Sequence, residues 1–392
     1  MVAPFGIRPK GTLSARMLPL ARELGVLGHQ VAIVAPAYLN PEDAATTVTI
    51  DGVVVEHVPL PHLPGPLGVA EEAIVLVQAA VRRQPDLLHV FKPKGYSGLA
   101  ALLAMLVSPR VPLVQDTDDW EGWGGWNDLL PYSQVQKTFF AWQERTLPRW
   151  ATATTVASRT LQTQVWDFGV APDRVWYVPN GVSAQPPTLP VRAAARRALH
   201  LNDDPVVLLY TRFWEYDLRD IVAVLLALKH RRPDARLLVL GAGERSEERT
   251  LTSLAQRAGV APWLDMRGWA DAQLIQNAFA AADVALAPFS DTLMNRAKGM
   301  AKLLELLHAG VPVVASRVGQ AQEYIVDGVT GVLVPPDNGG ALAQAVLALL
   351  DDPARARVIG HAGQRFVISH VAWPHLAHTL EHIYHSVLFP PR

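Results

Sequence analysis

A small set of charged residues and one glycine could handle a phosphorylated ligand. Lys298, Gly299, Lys302 and Glu305 lie within Asn295-Arg-Ala-Lys-Gly-Met-Ala-Lys-Leu-Leu-Glu-Leu-Leu-His-Ala-Gly310, and Val311-Pro-Val-Val314 follows at once. The run reads as a glycine turn, a helix stopped by Gly310 and then a strand. The free N–H groups and positive dipole of a helix N-terminus suit a diphosphate. Lys298 and Lys302 would add positive charge there. Lys298, Lys302 and Glu305 stand at i, i+4 and i+7, so a continuous helix would set them on one face. Glu305, one and a half turns in, would accept hydrogen bonds from ribose hydroxyls. The same spacing also allows ordinary surface Lys–Glu pairing.

Arg212, in Tyr210-Thr-Arg-Phe213, follows a predicted strand. A guanidinium binds two oxygens of a diphosphate at once and stabilises a leaving group that gains negative charge. The plain alternative is a solvated arginine at a strand end. Gly11-Thr12 precedes the first helix, and a glycine turn lets a leaving group or acceptor come close. Five of the eleven tryptophans crowd into residues 120–150. Trp123 and Trp126 flank a glycine pair that breaks regular helix, and aromatic faces stack on sugars or insert at a membrane interface. They read as an acceptor-binding flap or, equally, as packing for an irregular insertion. Lys92-Pro-Lys94-Gly95 reads better as a solvated loop than as a phosphate site.

These residues need a scaffold, and the pattern supplies one. Apolar runs at 31–35, 87–90, 112–115 and 154–157, then at 206–210, 236–240, 284–287 and 311–314, alternate with amphipathic helical segments. Continuous apolar strands between helices predict parallel sheets covered on both faces, hence two doubly wound α/β domains. Only Met1-Val-Ala-Pro4 precedes the turn at 5–12, so the first strand is either very short or its start precedes the sequence. Leu13–Leu27 reads as a helix capped by Gly28. The proline-rich stretch 183–190 marks a boundary, giving domains at 1–183 and 184–370. Val191–His200 reads as a short solvated helix. The segment 371–392 carries a helix with one apolar face.

Composition excludes several classes. The chain has 392 residues, enough for two cores, and a formal net charge of -1 that offers nucleic acid no electrostatic attraction. It has no cysteine, so disulfides, thiolate metal sites and cysteine nucleophiles are excluded. Its histidines show no metal-ligand spacing. No signal-peptide layout opens the sequence, and the apolar stretch 99–107 is too short to span a bilayer. These features predict a cytoplasmic protein, with peripheral contact at the inner membrane face left open.

The Asn295–Ser316 stretch, with Gly268-Trp269 and Leu286-Ala-Pro-Phe289 before it and Glu323–Pro335 after it, resembles the donor domain of glycosyltransferase family four. The resemblance covers nearly the whole chain and is stronger after Thr154. It implies a GT-B fold: two Rossmann-like domains facing across a cleft, with the terminal helix crossing back to the first. It also implies transfer from a nucleotide-sugar donor with retained configuration, and no metal or other cofactor. Asn180-Gly-Val182 resembles the interdomain turn, and Gly241 and Gly243 resemble the glycines of a donor-domain loop. Arg212 matches the family's phosphate-binding arginine, and Glu305 matches the second of its paired glutamates. The first glutamate would fall at Ala297, where Asp291 or Asn295 could substitute. The family's partner lysine would fall near Asp217, with Arg219 the nearest cation. The family's histidine near Asp118 faces the donor sugar. A carboxylate here would accept sugar hydroxyls or act as a base, unless it is only a helix cap or Asx turn.

The expected activity is therefore sugar transfer to an acceptor of unknown class: saccharide, lipid or small molecule. The alternatives are a nucleotide-binding protein that has lost catalysis, or a nucleotide-sugar epimerase on the same fold.

Overall fold

The computed structural model describes residues 1–8 and 11–390, so residues 9–10 of the predicted turn and 391–392 at the chain's end lie outside the description. The chain divides into two compact units. The first holds Met1–Gly181, Ala297–Gly299 and the segment from Trp373 onward. The second holds Val182–Arg296 and Met300–Ala372.

In the first unit the strands are β1 (Ala32–Ala35), β2 (Thr47–Ile50), β3 (Val53–His57), β4 (Leu88–Phe91), β5 (Leu113–Thr117), β6 (Ala153–Val156) and β7 (Val175–Tyr177). They form two sheets, β1-β3-β2 and β4-β5-β6-β7. Val2 bridges Val34 of β1 and Val90 of β4, which joins them. At the predicted first strand the structure has these isolated bridges at Val2 and no extended strand. All pairings are parallel except β2 with β3. That antiparallel hairpin was not predicted. Its turn is Asp51-Gly52, both at positive φ (49° and 81°), the geometry an Asp-Gly pair favours between right-twisted strands.

Side chains alternate between two covered faces. Ile33, Phe91 and Val114 point into one core, with Leu13, Leu20 and Leu24 of the first helix and Leu376, Leu380 and Ile383 of the terminal helix. Val34, Val90 and Leu113 point into the other, under Leu76, Ala101 and Leu147. The terminal helix runs Trp373–Leu388 and buries the face predicted for it. A completely buried leucine such as Leu380 adds roughly 1.5–3 kcal/mol relative to exposure.

The second unit contains β8 (Val206–Tyr210), β9 (Arg236–Leu240), β10 (Leu264–Met266), β11 (Val284–Ala287), β12 (Val313–Ser316) and β13 (Val332–Val334). They make one parallel sheet in the order β10-β9-β8-β11-β12-β13. Counted within the unit, that is 3-2-1-4-5-6, the doubly wound order whose chain direction switches between β8 and β11. The Arg192–Ala198 helix that opens this unit is less solvated than predicted. Arg196 is buried, and its guanidinium donates to the carbonyls of Ala281, Asn202 and Asp204. Short β10 and β13 escape the apolar-run criterion because each contributes three residues at a sheet edge. Among the described residues no helix is long and apolar enough to cross a membrane.

Candidate functional site

In the second unit the switch point fixes where a ligand can sit: beyond the carboxyl ends of β8 and β11. Tyr210 ends β8, and Thr211 and Arg212 follow. Phe213 then takes φ +70°, a rare conformation for a bulky residue. Its ring is sunk in the core and its N–H donates to Thr211 Oγ1 at 2.8 Å, so packing holds the turn while Arg212 is exposed. Gly241 directly follows β9 at φ +138°, where a Cβ would come within 1.9 Å of the Thr211 carbonyl oxygen. Only glycine fits that approach. The Gly243 N–H donates to Glu248 Oε2 at 3.0 Å, which closes the same loop.

The helix predicted through Lys298 is broken. One segment covers Leu293–Ala297, and the next begins at Ala301 and ends at His308. Lys298, Gly299 and Met300 lie between them, and the Met300 N–H donates to Gln320 Oε1 at 2.8 Å instead of to a preceding turn. Lys298 therefore does not share a helix face with Lys302 and Glu305, contrary to the spacing argument. Ala297–Gly299 cluster with the first unit, and there the Gly299 N–H donates to the Asp118 carbonyl at 2.9 Å.

Lys302 and Glu305 do meet, through a residue the sequence reading did not assign. The Lys302 ammonium lies 3.3 Å from the centre of the Tyr210 ring, a cation–π contact. The Tyr210 hydroxyl donates to the Glu305 carboxylate. Burial first, and Glu305 second, push the Tyr210 phenol well above its ordinary value. The end of β8 and the helix after the break thus present Arg212, Tyr210, Lys302 and Glu305 as one polar group. The available signal for Tyr210 was a lone hydroxyl closing an otherwise apolar strand.

Other predicted residues have different surroundings. Asn295 is buried, and its amide donates to the carbonyls of Glu215 (2.7 Å) and Ser290 (2.9 Å), tying the loop after β11 to the loop after β8. That commits its donors to backbone. Asp291 is paired with Arg296. Arg219 is exposed and folds back on Asp217, the N-cap of its helix.

The first unit contains a denser charge network. Arg16 and Asp116 are both buried and pair through two bonds, Nε to Oδ1 at 2.9 Å and Nη2 to Oδ2 at 2.6 Å. Asp118, two residues further on and just past the end of β5, is also buried. It accepts from Thr12 Oγ1 at 3.0 Å and pairs with Lys92 Nζ at 2.9 Å. Lys92 also reaches Asp119 (3.1 Å) and Glu121 (2.9 Å), while Lys94 takes the other Glu121 oxygen at 2.7 Å. The Lys92–Gly95 segment is thus no solvated loop: three carboxylates compensate the burial of one ammonium. Burial alone would lower the Lys92 ammonium, but Asp118, Glu121 and Asp119 outweigh it and hold it well above the lysine range. Burial alone would raise Asp118, but Lys92 and Arg16 outweigh it and hold it below the ordinary carboxylate value. Thr12 is the N-cap of the turn Leu13–Met17, and Gly11 closes on Ser14 just before it.

The tryptophans divide by role. Trp120 is buried, and its indole donates to the Trp123 carbonyl at 2.7 Å. A Cβ on Gly122 or Gly125 would strike Trp120 at 2.5 or 2.2 Å, so both glycines let the loop wrap it. Trp123 is 46% exposed, whereas Trp126 is half-buried at the start of a short helix.

Two family models match this chain: a glycosyl transferase 4-like domain over residues 11–181 and a glycosyl transferases group 1 domain over 204–352. The chain belongs to glycosyltransferase family four. It is 32% identical, over half its own length, to a GDP-mannose-dependent alpha-(1-6)-phosphatidylinositol monomannoside mannosyltransferase from Mycolicibacterium smegmatis. The match spans 52% of that relative, so the aligned region is about half the length of such curated relatives. A phosphatidyl-myo-inositol mannosyltransferase from the same organism is 26% identical over 99% of the chain and 93% of the relative. Among solved structures, sucrose-phosphate synthase from Thermosynechococcus elongatus superposes with a TM-score of 0.76 at 20% identity, covering 98% of each chain. That likeness shows the GT-B fold.

Proposed function

We propose that this family-four member transfers a sugar from a nucleoside-diphosphate sugar to an acceptor hydroxyl, with retention of anomeric configuration. The observation that carries this reading is the polar group at the switch point of the second unit. Glu305 would take the ribose hydroxyls, and Tyr210 would orient it. Arg212 and Lys302 would face the diphosphate, where charge grows as the sugar leaves. Gly241, Gly243 and Gly299 would allow close backbone approach, with Lys298 a further cation. In the first unit Gly11, Thr12 and Asp118 would meet sugar or acceptor hydroxyls, and Trp123 and Trp126 the acceptor. Asn295 and Arg219 would act on the surrounding loops rather than on the donor.

GDP-mannose is the first donor to try, because relatives are named for it. Their names also make a lipid-linked polyol the first acceptor class, which would bring the chain to a membrane surface. The direct experiment follows nucleoside diphosphate release from GDP-mannose, UDP-glucose and ADP-glucose, with and without phosphatidylinositol vesicles. Release from one donor supports the reading. Nucleotide binding without release from any donor favours the second reading, a degenerate member. That alternative draws on Ala297 and Asp217, which stand where the family carries a glutamate and a lysine.

A further inference from the structure

Lys92, in the first unit, is a buried lysine in a backbone conformation that lysine rarely adopts. Lys92 directly follows β4 in the left-handed region, at φ +60°, and is 4% exposed. A side chain other than glycine is sterically crowded in that conformation. Burying its ammonium adds a desolvation cost that an apolar residue would avoid. Its backbone is fixed on both sides: its N–H donates to the Asp116 carbonyl at 2.9 Å, and its own carbonyl accepts from Ser97 Oγ at 2.7 Å.

The geometry of the ammonium explains the investment. Lysine has three N–H donors. Here two of them donate to Asp119 Oδ2 at 3.1 Å and Glu121 Oε1 at 2.9 Å, and the same ammonium forms an ion pair with Asp118 Oδ1 at 2.9 Å. All three belong to one short segment beyond the end of β5. Lys92 and Lys94 pair with these three carboxylates and Lys298 faces Asp119, so without Lys92 the buried segment would hold more negative than positive charge. Like charges this close cannot all stay ionised. A buried ion cluster contributes little to stability compared with apolar packing of the same volume. At Asp118 one oxygen faces the Lys92 ammonium as an ion pair and the other accepts from Thr12 Oγ1, so the carboxylate has a charged contact on one side and a hydrogen bond on the other.

We propose that Lys92 is the positioning residue for Asp118 in sugar transfer, gathering the 118–121 segment onto one buried ammonium so that the Asp118 carboxylate is held in a single orientation. The role of Asp118 in transfer rests on the function proposed above, while its placement by Lys92 does not. Besides Lys92, the charges facing Asp118 are Arg16 from the first helix and Asp116 and Asp119 on either side of it. Glu144, from the Gln134–Trp150 helix, faces the same ammonium.

The test compares four full-length forms: wild type, Lys92→Met, Asp119→Asn/Glu121→Gln, and Lys92→Met/Asp119→Asn/Glu121→Gln. The triple variant leaves Asp118 and Lys94 as the remaining charges of the cluster, one of each sign, and replaces the single variant if that one does not fold. Two readouts are taken. Carboxyl carbon NMR follows the titration of Asp118, and calorimetry with GDP and UDP is paired with donor turnover. In folded Lys92→Met, Asp118 is expected to titrate at least one pH unit higher than in wild type, and in the triple variant at least one pH unit higher than in Asp119→Asn/Glu121→Gln, which keeps Lys92. Turnover is expected to fall tenfold or more, with nucleotide affinity unchanged within twofold. An Asp118 titration that does not move overturns the positioning claim. A shifted titration with turnover within twofold of wild type overturns its role in transfer. Wild type that turns over no nucleotide-sugar defeats the proposed function instead, and the NMR arm then decides the placement alone.

Discussion

Arg16 and Asp116 form a two-bond ion pair that is almost wholly withdrawn from solvent, with side-chain exposures of 1% and 0%. Arg16 also donates to the carbonyls of Val178 and Pro179, and Asp116 accepts from Thr155 Oγ1 at 2.6 Å. One arginine thus ties the first helix, β5 and the chain after β7 together. Burial pushes the Asp116 carboxyl up, and Arg16 opposes that push. Arg16→Met leaves a buried carboxylate without its partner and is expected to cost about 3–5 kcal/mol. Urea unfolding checks this. A loss under 1 kcal/mol would mean the site relaxes or fills with water.

Glu72 offers a pH test with a definite sign. It is buried, and burial raises its carboxyl from 4.5 to about 7, helped by Glu71. The folded state therefore holds a proton that the unfolded chain releases near pH 4.5. This group's contribution favours folding below that pH and is lost as pH rises toward 7. Glu72→Gln should flatten the fall in melting temperature between about pH 4.5 and 7 relative to wild type. Parallel curves for the two proteins would assign the fall to other groups.

Much of this was legible in the sequence, and the rest was hidden for identifiable reasons. The eight apolar runs all became strands, because a strand buried on both faces must be apolar throughout. The β2–β3 hairpin was missed although Asp51-Gly52 between alternating residues carries its signal. Lys298 was placed on the wrong element because spacing alone cannot show that Gly299 and Met300 leave the helix. The Lys92 network joins residues more than twenty positions apart, so only the fold shows that these charges meet. Arg16 did carry a local sign: it stands among Leu13, Met17, Leu20 and Leu24, on the face that is buried.

Arg212 and Trp123 separate the two sides of the proposed reaction. Arg212→Ala should lower turnover by about 100-fold or more, the usual consequence of losing one preorganised charge at a developing anion. Initial rates at saturating donor check this, and a change under threefold would remove Arg212 from the leaving-group site.

Trp123→Ala should raise the acceptor KM and spare donor affinity and stability, because Trp123 is exposed. Trp120→Ala, in contrast, should destabilise by roughly 3–5 kcal/mol, because its ring fills the core beneath the loop. Unchanged acceptor kinetics in folded Trp123→Ala would leave the loop a packing element only.

The most direct measurement is a calorimetric titration of GDP, UDP and ADP into wild type and Glu305→Ala side by side. The account predicts that one of the three binds wild type, and that losing the carboxylate weakens it by roughly 10- to 100-fold, as removal of a charged hydrogen-bond partner worth about 1.5–3 kcal/mol requires. Equal affinity in the two proteins, or no binding of any diphosphate at millimolar concentration to a folded wild type, would contradict the placement of the nucleotide at Tyr210, Lys302 and Glu305.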